Sequence, residues 1–187
     1  AVASQLVTHM ESLRLSEQTE KALAESQRRS HELIIMNRVV GKVSQVVGMQ
    51  ESMQIIVDEL MEITTVDQIR IALLNNDNSK ITIIAENFDS KRNKSALGQE
   101  LPVAGNKLTQ EVIHTQKPIF IHDCQTSPFT ENIRDMLAEQ HIKSFLVMPI
   151  VIDNNVIGTV GLDILDEQRY ITDDQIRLAE TLILQAG

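Results

Sequence analysis

The sequence has one cysteine, Cys124, no tryptophan, one tyrosine and four phenylalanines in 187 residues. A single thiol excludes an intrachain disulfide and a zinc site built from several cysteines of the chain, and it suits a reducing, cytoplasmic setting. Aromatics make up only 3%, so the interior must be filled by aliphatic side chains and seven methionines; a hydrophobic content of 42% is enough for a core. No apolar run approaches the ~20 residues that a membrane-spanning helix needs, and there is no signal-peptide pattern, so no membrane segment is expected. Basic charge is also short, with 17 Lys and Arg against 26 Asp and Glu and a net charge of −9. That argues against a nucleic-acid partner, which wants a basic stripe. The longest basic cluster, Lys91-Arg92-Asn93-Lys94, reads as a solvated loop tip. The chain opens without Met and stops inside an apolar helical pattern, so it is expected to be a piece of something longer.

What is present centres on Ser144 to Asp166, SFLVMPIVIDNNVIGTVGLDILD. Two apolar runs fold back at Asn154-Asn155, a pair that tolerates the positive φ of a two-residue hairpin turn. With those two as the loop, one face carries Phe145, Val147, Pro149 and Val151 with Gly158, Val160, Leu162 and Ile164. The other carries Leu146, Met148, Ile150 and Ile152 with Ile157, Thr159, Gly161 and Asp163. A hairpin apolar on both faces belongs in the middle of a covered sheet. Its mixed face, with a hydroxyl, a bare backbone and a carboxylate, is where a ligand is expected.

Residues 2 to 47 read as one long helix. Leu6, Met10 and Leu13 mark its first part; Leu33, Met36, Val40, Val43 and Val47 recur at alternating threes and fours, the coiled-coil interval, with Ile35, Val39 and Val46 beside them. Ser16 to Glu32 between them is polar and reads as an exposed helical connector. The alternatives are dimerisation through this helix and an amphipathic helix packed on its own domain. Gly48 breaks the pattern, and 50–63 is a second amphipathic helix. Gln68 to Asn75 and Lys80 to Glu86 form a hairpin, Gln99 to Val103 is a short strand at most, and Asn106 caps a helix to about Thr115. A strand Ile119 to His122 and a helix from Thr130 to about Gln140 precede the central hairpin. Thr172-Asp173-Asp174-Gln175 is a capping box for the closing helix. Hairpins and single helices rather than regular βαβ units mean α+β with a central antiparallel sheet.

Three stretches in this order carry a resemblance: LPVAGNKLTQEVIHTQKPIFIHD (101–123), SPFTENIRDMLAEQHIKSFLVMPIVIDNNVIGTVGLDILD (127–166) and YITDDQIRLAETL (170–182). A glycine-led short helix, a Lys-Pro strand ending in Asp, a Pro-Phe loop and helix, a Ser-led hairpin and a Thr-capped terminal helix together resemble the GAF domain, a small-molecule sensor module of signalling proteins. The resemblance implies a central antiparallel sheet of five or six strands flanked by helices, with residues 33–187 as the sensor domain and 1–32 as a connector helix leaving a preceding domain. It also implies a regulatory, non-catalytic role in a larger signalling protein such as a sensor histidine kinase of a two-component system. The chain would work as a parallel homodimer through N- and C-terminal helices, its seam made of Leu6, Met10, Leu13, Leu33, Met36, Val40, Val43 and Val47. The pocket, for an unidentified small molecule, would be lined by Arg70, His122, Phe129, Ile133, Met148, Thr159, Gly161 and Asp163.

Subfamily chemistry narrows the ligand. The Asn-Lys of cyclic-nucleotide-binding members is replaced by Ile164-Leu165, and only Tyr170, Asp174 and Gln175 survive of the rest, which argues against cGMP or cAMP. The Cys-His pair that attaches a bilin falls near Asn132 and Ile133, so no covalent bilin is expected. One thiol cannot form the disulfide used by methionine-sulfoxide-reducing members. Haem through a His stays open, with five His present. His122-Asp123-Cys124 lacks an orienting third group, and Asp123 reads as loop structure; no catalytic or metal-binding set is expected. Arg70 lies among small and apolar neighbours in a core strand. It is either paired, with Asp163 as the implied partner, or anchors a ligand. The alternative to a sensor is a structural dimerisation module with a vestigial pocket.

Overall fold

The computed structural model describes the backbone of residues 2–43, 48–166 and 169–186, and within them the side chains of 13–36, 48–166 and 169–183. The chain divides into two compact units, Ala1–Arg38 and Val39–Gly187. The first is helical, the larger part of α1 (Val2–Val43). Along it Leu13, Leu15, Leu23, Leu33 and Ile34 are exposed; Ile35 is buried and Met36 half-buried. The seam positions Leu6, Met10, Val40, Val43 and Val47, with Val39 and Val46, lie outside the residues whose side chains are described.

The second unit holds one sheet of six strands in the order β3-β2-β1-β6-β5-β4. They are β1 (Gln68–Leu74), β2 (Lys80–Phe88), β3 (Glu100–Pro102), β4 (Ile119–Ile121), β5 (Ser144–Ile152) and β6 (Asn155–Ile164). All neighbours pair antiparallel. The helices are α2 (Met49–Ile63), α3 (Lys107–Thr115), α4 (Arg134–Glu139) and α5 (Asp173–Ala186), with a 3₁₀ turn at Pro128–Thr130. The architecture is the expected α+β one. In place of one helix from Thr130 to Gln140, the chain makes the 3₁₀ turn and then the shorter α4.

Local chemistry sets the ends. The Asn106 side chain accepts from Thr109 N (3.1 Å) at the start of α3. At α5, Thr172 N donates to Gln175 Oε1 (3.0 Å) and Gln175 N to Thr172 Oγ1 (3.3 Å), a closed capping box. On α2, Met53, Ile56, Val57 and Leu60 are buried at spacings of three and four, and the helix packs on β1, β2 and α5.

The central hairpin turns one residue earlier than expected. Asp153 and Asn154 carry the positive φ values, 49° and 65°, of a type I′ turn. Phe145 therefore faces Asp163, Val147 faces Gly161 and Pro149 faces Thr159, with a register shift between Ile150 and Val151 that leaves Ile157 as an extra residue. Because side chains alternate, a slip of one residue exchanges the faces of β5. Phe145 and Val147 share the side of Thr159, Gly161 and Asp163, and Met148 lies opposite Val160 on the other side. There Met148 and Ile183 of α5 line one recess.

Candidate functional site

Two apolar clusters cover the face of the sheet that bears Thr159, Gly161 and Asp163. One joins α3, α4, β4 and β5 through Leu108, Val112, Ile121, Cys124, Leu137, Ile142 and Phe145. The other joins β1, β2 and the loop before β3 through Ala72, Ile81, Ile83 and Ala96. Between them lies a cavity of about 120 Å³, lined by residues of both clusters and by Arg70, Gln99, Asn106, Thr109, Gln140, Thr159, Gly161 and Asp163.

Its charged end is a connected network. Arg70 Nη1 donates to Gln140 Oε1 (2.9 Å) at the end of α4 and lies 3.6 Å from Asp163 Oδ2. Arg70 Nε lies 3.6 Å from Glu86 Oε2, beyond hydrogen-bond reach, and has no acceptor among the described residues. Gln68 Nε2 donates to Asp163 Oδ2, and Asn93 Nδ2 donates to Gln68 Oε1 (2.8 Å). Glu86 accepts from Ser95 Oγ and from Ala96 N (3.0 Å). One guanidinium thus stands between two carboxylates. Burial pushes the Asp163 carboxyl above the usual carboxylate range, against the opposing pull of Arg70 and of the Gln68 amide. The opposition Arg70–Glu86 depends on a β-bulge: Ala85 pairs with Ile71 and Ile83 with Ala72, leaving Ile84 between them.

A second tie lies beside the first. Buried Asp67 receives Arg92 Nη1 and Arg169 Nη1, each at 3.0 Å on Oδ1, and Leu165 N at 2.8 Å on Oδ2. Arg92 and Asn93, adjacent in one loop, therefore enter two networks.

Of the eight side chains expected at the pocket, Arg70, Ile133, Thr159, Gly161 and Asp163 line this cavity. Met148 does not, because the hairpin register places it on the opposite face. His122 is exposed, stacks edge-on against Phe120 with centroids 4.5 Å apart, and borders a surface groove with Lys143 and Tyr170. Phe129 packs at the margin of the α3–α4 cluster. Sequence reasoning missed Phe145 and Val147, which the slipped register concealed, and Gln140 and Glu86. The bulge hid the place of Glu86, and no sequence signal marks the end of α4 as facing Arg70.

Cys124 is fully buried, and its thiol is pushed up to about 12 by burial, then by Asp163 and Asp123. A thiol in that setting is inert rather than nucleophilic. Asp123 holds the following turn, accepting from Gln125 N (2.8 Å) and Thr126 Oγ1 (2.8 Å), which draws its carboxyl below the usual range. Among the described residues no group of three or more His, Cys, Asp and Glu is placed to hold a metal ion. Among them no helix is long and apolar enough to cross a membrane.

The solved structures similar to this chain share its fold at low identity. The phycoerythrobilin-bound GAF domain of a cyanobacterial phytochrome is 17% identical with a TM-score of 0.71, over 83% of this chain and 91% of that one. The GAF domain of a phosphoenolpyruvate-protein phosphotransferase from Coxiella burnetii is 19% identical with a TM-score of 0.68, over 83% and 89%. The chromophore-binding domain of the Stigmatella aurantiaca bacteriophytochrome is 14% identical with a TM-score of 0.67, over 83% of this chain and 58% of that one. No curated protein matches the sequence. The family model described as a GAF domain matches residues 47–187, most of the chain, and the chain therefore belongs to the GAF domain family.

Proposed function

We propose that this chain is a regulatory, non-catalytic sensor module that binds a small molecule in the cavity above Thr159, Gly161 and Asp163. The observation that carries the reading is the position of that cavity. It separates two apolar clusters and has a buried, hydrogen-bonded charge network at one end, the mix of apolar lining and few polar groups that small-molecule sites use. The sensor domain is taken as residues 33–187 and residues 1–32 as a connector. Transmission is a population shift in which ligand favours one arrangement of the terminal helices of a homodimer. The exposed Leu13, Leu23 and Leu33 support a helical partner. We take the setting to be cytoplasmic and the parent a signalling protein such as a histidine kinase.

The bilin of the phytochrome neighbour is not carried over. Asn132 and Ile133 stand where its attachment residues are expected, and 120 Å³ is well below the ~300–1,000 Å³ of ordinary ligand pockets. The same small volume favours the second reading, a dimerisation module with a vestigial pocket. Native mass spectrometry of the purified chain tests both, since it reports stoichiometry and any retained small molecule together. A dimer carrying a molecule that Arg70→Met no longer retains supports the sensor. A monomer with nothing bound overturns it, and a dimer with nothing bound, whose melting no small molecule shifts, supports the second reading.

A further inference from the structure

The charge balance around the cavity constrains what it takes. Among the described residues Arg70 is the one cation on the lining, and it is already flanked by Glu86 and Asp163, each 3.6 Å away, while Gln140 accepts one of its N–H groups. Glu86 is held in place by Ser95 and Ala96 and is not free to swing away. With both carboxylates ionised the buried cluster carries a net negative charge. An anion brought to Arg70 meets two carboxylates in a poorly screened setting. A cation meets the opposite.

The geometry on the Asp163 side is open to such a group. Gly161, two residues before Asp163 on the same face, puts no side chain between the cavity and the carboxylate; a Cβ there would stand 3.9 Å from Asp163 Oδ1. Phe145 faces Asp163 across the hairpin and lines the same cavity, and an aromatic ring beside a carboxylate suits a positively charged group. Aliphatic lining from Ile81, Leu108 and Ile133 suits a short apolar body.

We propose that the cavity accepts a small organic cation, its ammonium-type group held at the Asp163 carboxylate beside Gly161 and Phe145, and rejects small anions at Arg70. The proposal rests on the reading of this cavity as the ligand site. It gives binding a proton link. Burial raises the Asp163 carboxyl, so acid competes with an arriving cation for it. The titratable groups around Asp163 are Arg70 on β1, Glu86 behind it on β2, and the Cys124 thiol, which stays protonated at ordinary pH; Asp67, at the start of β1, is engaged with Arg92 and Arg169.

The test uses three probes of equal heavy-atom count, propylammonium chloride, sodium acetate and acetamide, titrated by calorimetry into the full chain at matched ionic strength between pH 5 and 8. The expected result is saturable binding of propylammonium that does not weaken as pH rises from 5 to 8. Asp163→Asn should abolish the binding. Acetate binding as tightly as propylammonium, or propylammonium binding that weakens as pH rises, overturns the charge assignment while leaving the cavity a ligand site. Binding by none of the three overturns the assignment and the ligand-site reading together. If Asp163→Asn does not fold, the preference of the unmodified chain for propylammonium over acetate and acetamide decides.

Discussion

Gly158 and Gly161 lie on the same strand and differ in what a methyl group would meet, so one pair of substitutions measures how closely β6 approaches β1. A Cβ built at Gly158 would stand 2.4 Å from the backbone oxygen of Ala72, 2.8 Å from Leu73 Cδ2 and 3.1 Å from Leu73 Cα. The Leu73 side chain has freedom to turn aside. The Ala72 carbonyl belongs to a strand paired on both edges and does not. Relief requires separating β6 from β1 at Gly158, which pairs with Leu73 at the end of an otherwise regular ladder. Overpacking of this kind costs about 1–3 kcal/mol, and contact with fixed backbone argues for the upper part of that range. For a domain of this size ~2–4 °C accompany each kcal/mol, so Gly158→Ala should melt roughly 5–12 °C below the unmodified chain. A Cβ at Gly161 would meet Asp163 Oδ1 and Arg70 O only at 3.9 and 4.0 Å. Gly161→Ala should therefore be neutral, or gain a few tenths of a kcal/mol from lost backbone freedom in the unfolded chain. Thermal melts and urea titrations of both variants provide the measurement. Equal stabilities for the two variants would refute the close approach.

Two further outcomes follow from the buried groups. The Asp163 carboxyl is raised by burial, so its contribution to stability is fully present below the unfolded-state value near 3.8 and is lost as pH rises through the folded-state value. Asp163→Asn fixes the neutral form: it should melt at or above the unmodified chain at pH 7.5, and the gap should close towards pH 4; a gap that widens on acidification would contradict this. Cys124, buried and raised to about 12, should not react with an aromatic disulfide reagent at pH 8 in the native chain and should react fully in urea; prompt native reaction would show that the cluster around it opens.

The elements that local chemistry dictates were readable in the sequence. Asn106 and the Thr172–Gln175 box act within a turn of themselves, and the strand runs of β1, β5 and β6 announce themselves by their apolar content. Register was not readable, because two neighbouring residues, Asp153 and Asn154, serve a type I′ turn as well as the pair Asn154-Asn155 does. The whole of β5 turned over with that choice: Met148 left the cavity side, and Phe145 and Val147 took its place. The β6 residues kept their relation to Arg70 because Arg70 faces Gly161 across the β1–β6 ladder, which does not depend on the turn. Bulges conceal partners in the same way. Without the extra residue at Ile84, Glu86 and Arg70 would lie on opposite faces, and Arg70 would lack its second carboxylate neighbour.

The two outermost strands, β3 and β4, are three residues each, and β3 ends on Pro102. At ~3.3 Å per residue they present about 10 Å of edge, too short a template for another chain to extend the sheet. Strand addition reads backbone and discriminates poorly among partners. The edges of β3 and β4 therefore offer little backbone for strand addition, while β2 beyond Thr82 and β5 beyond Val147 run past them.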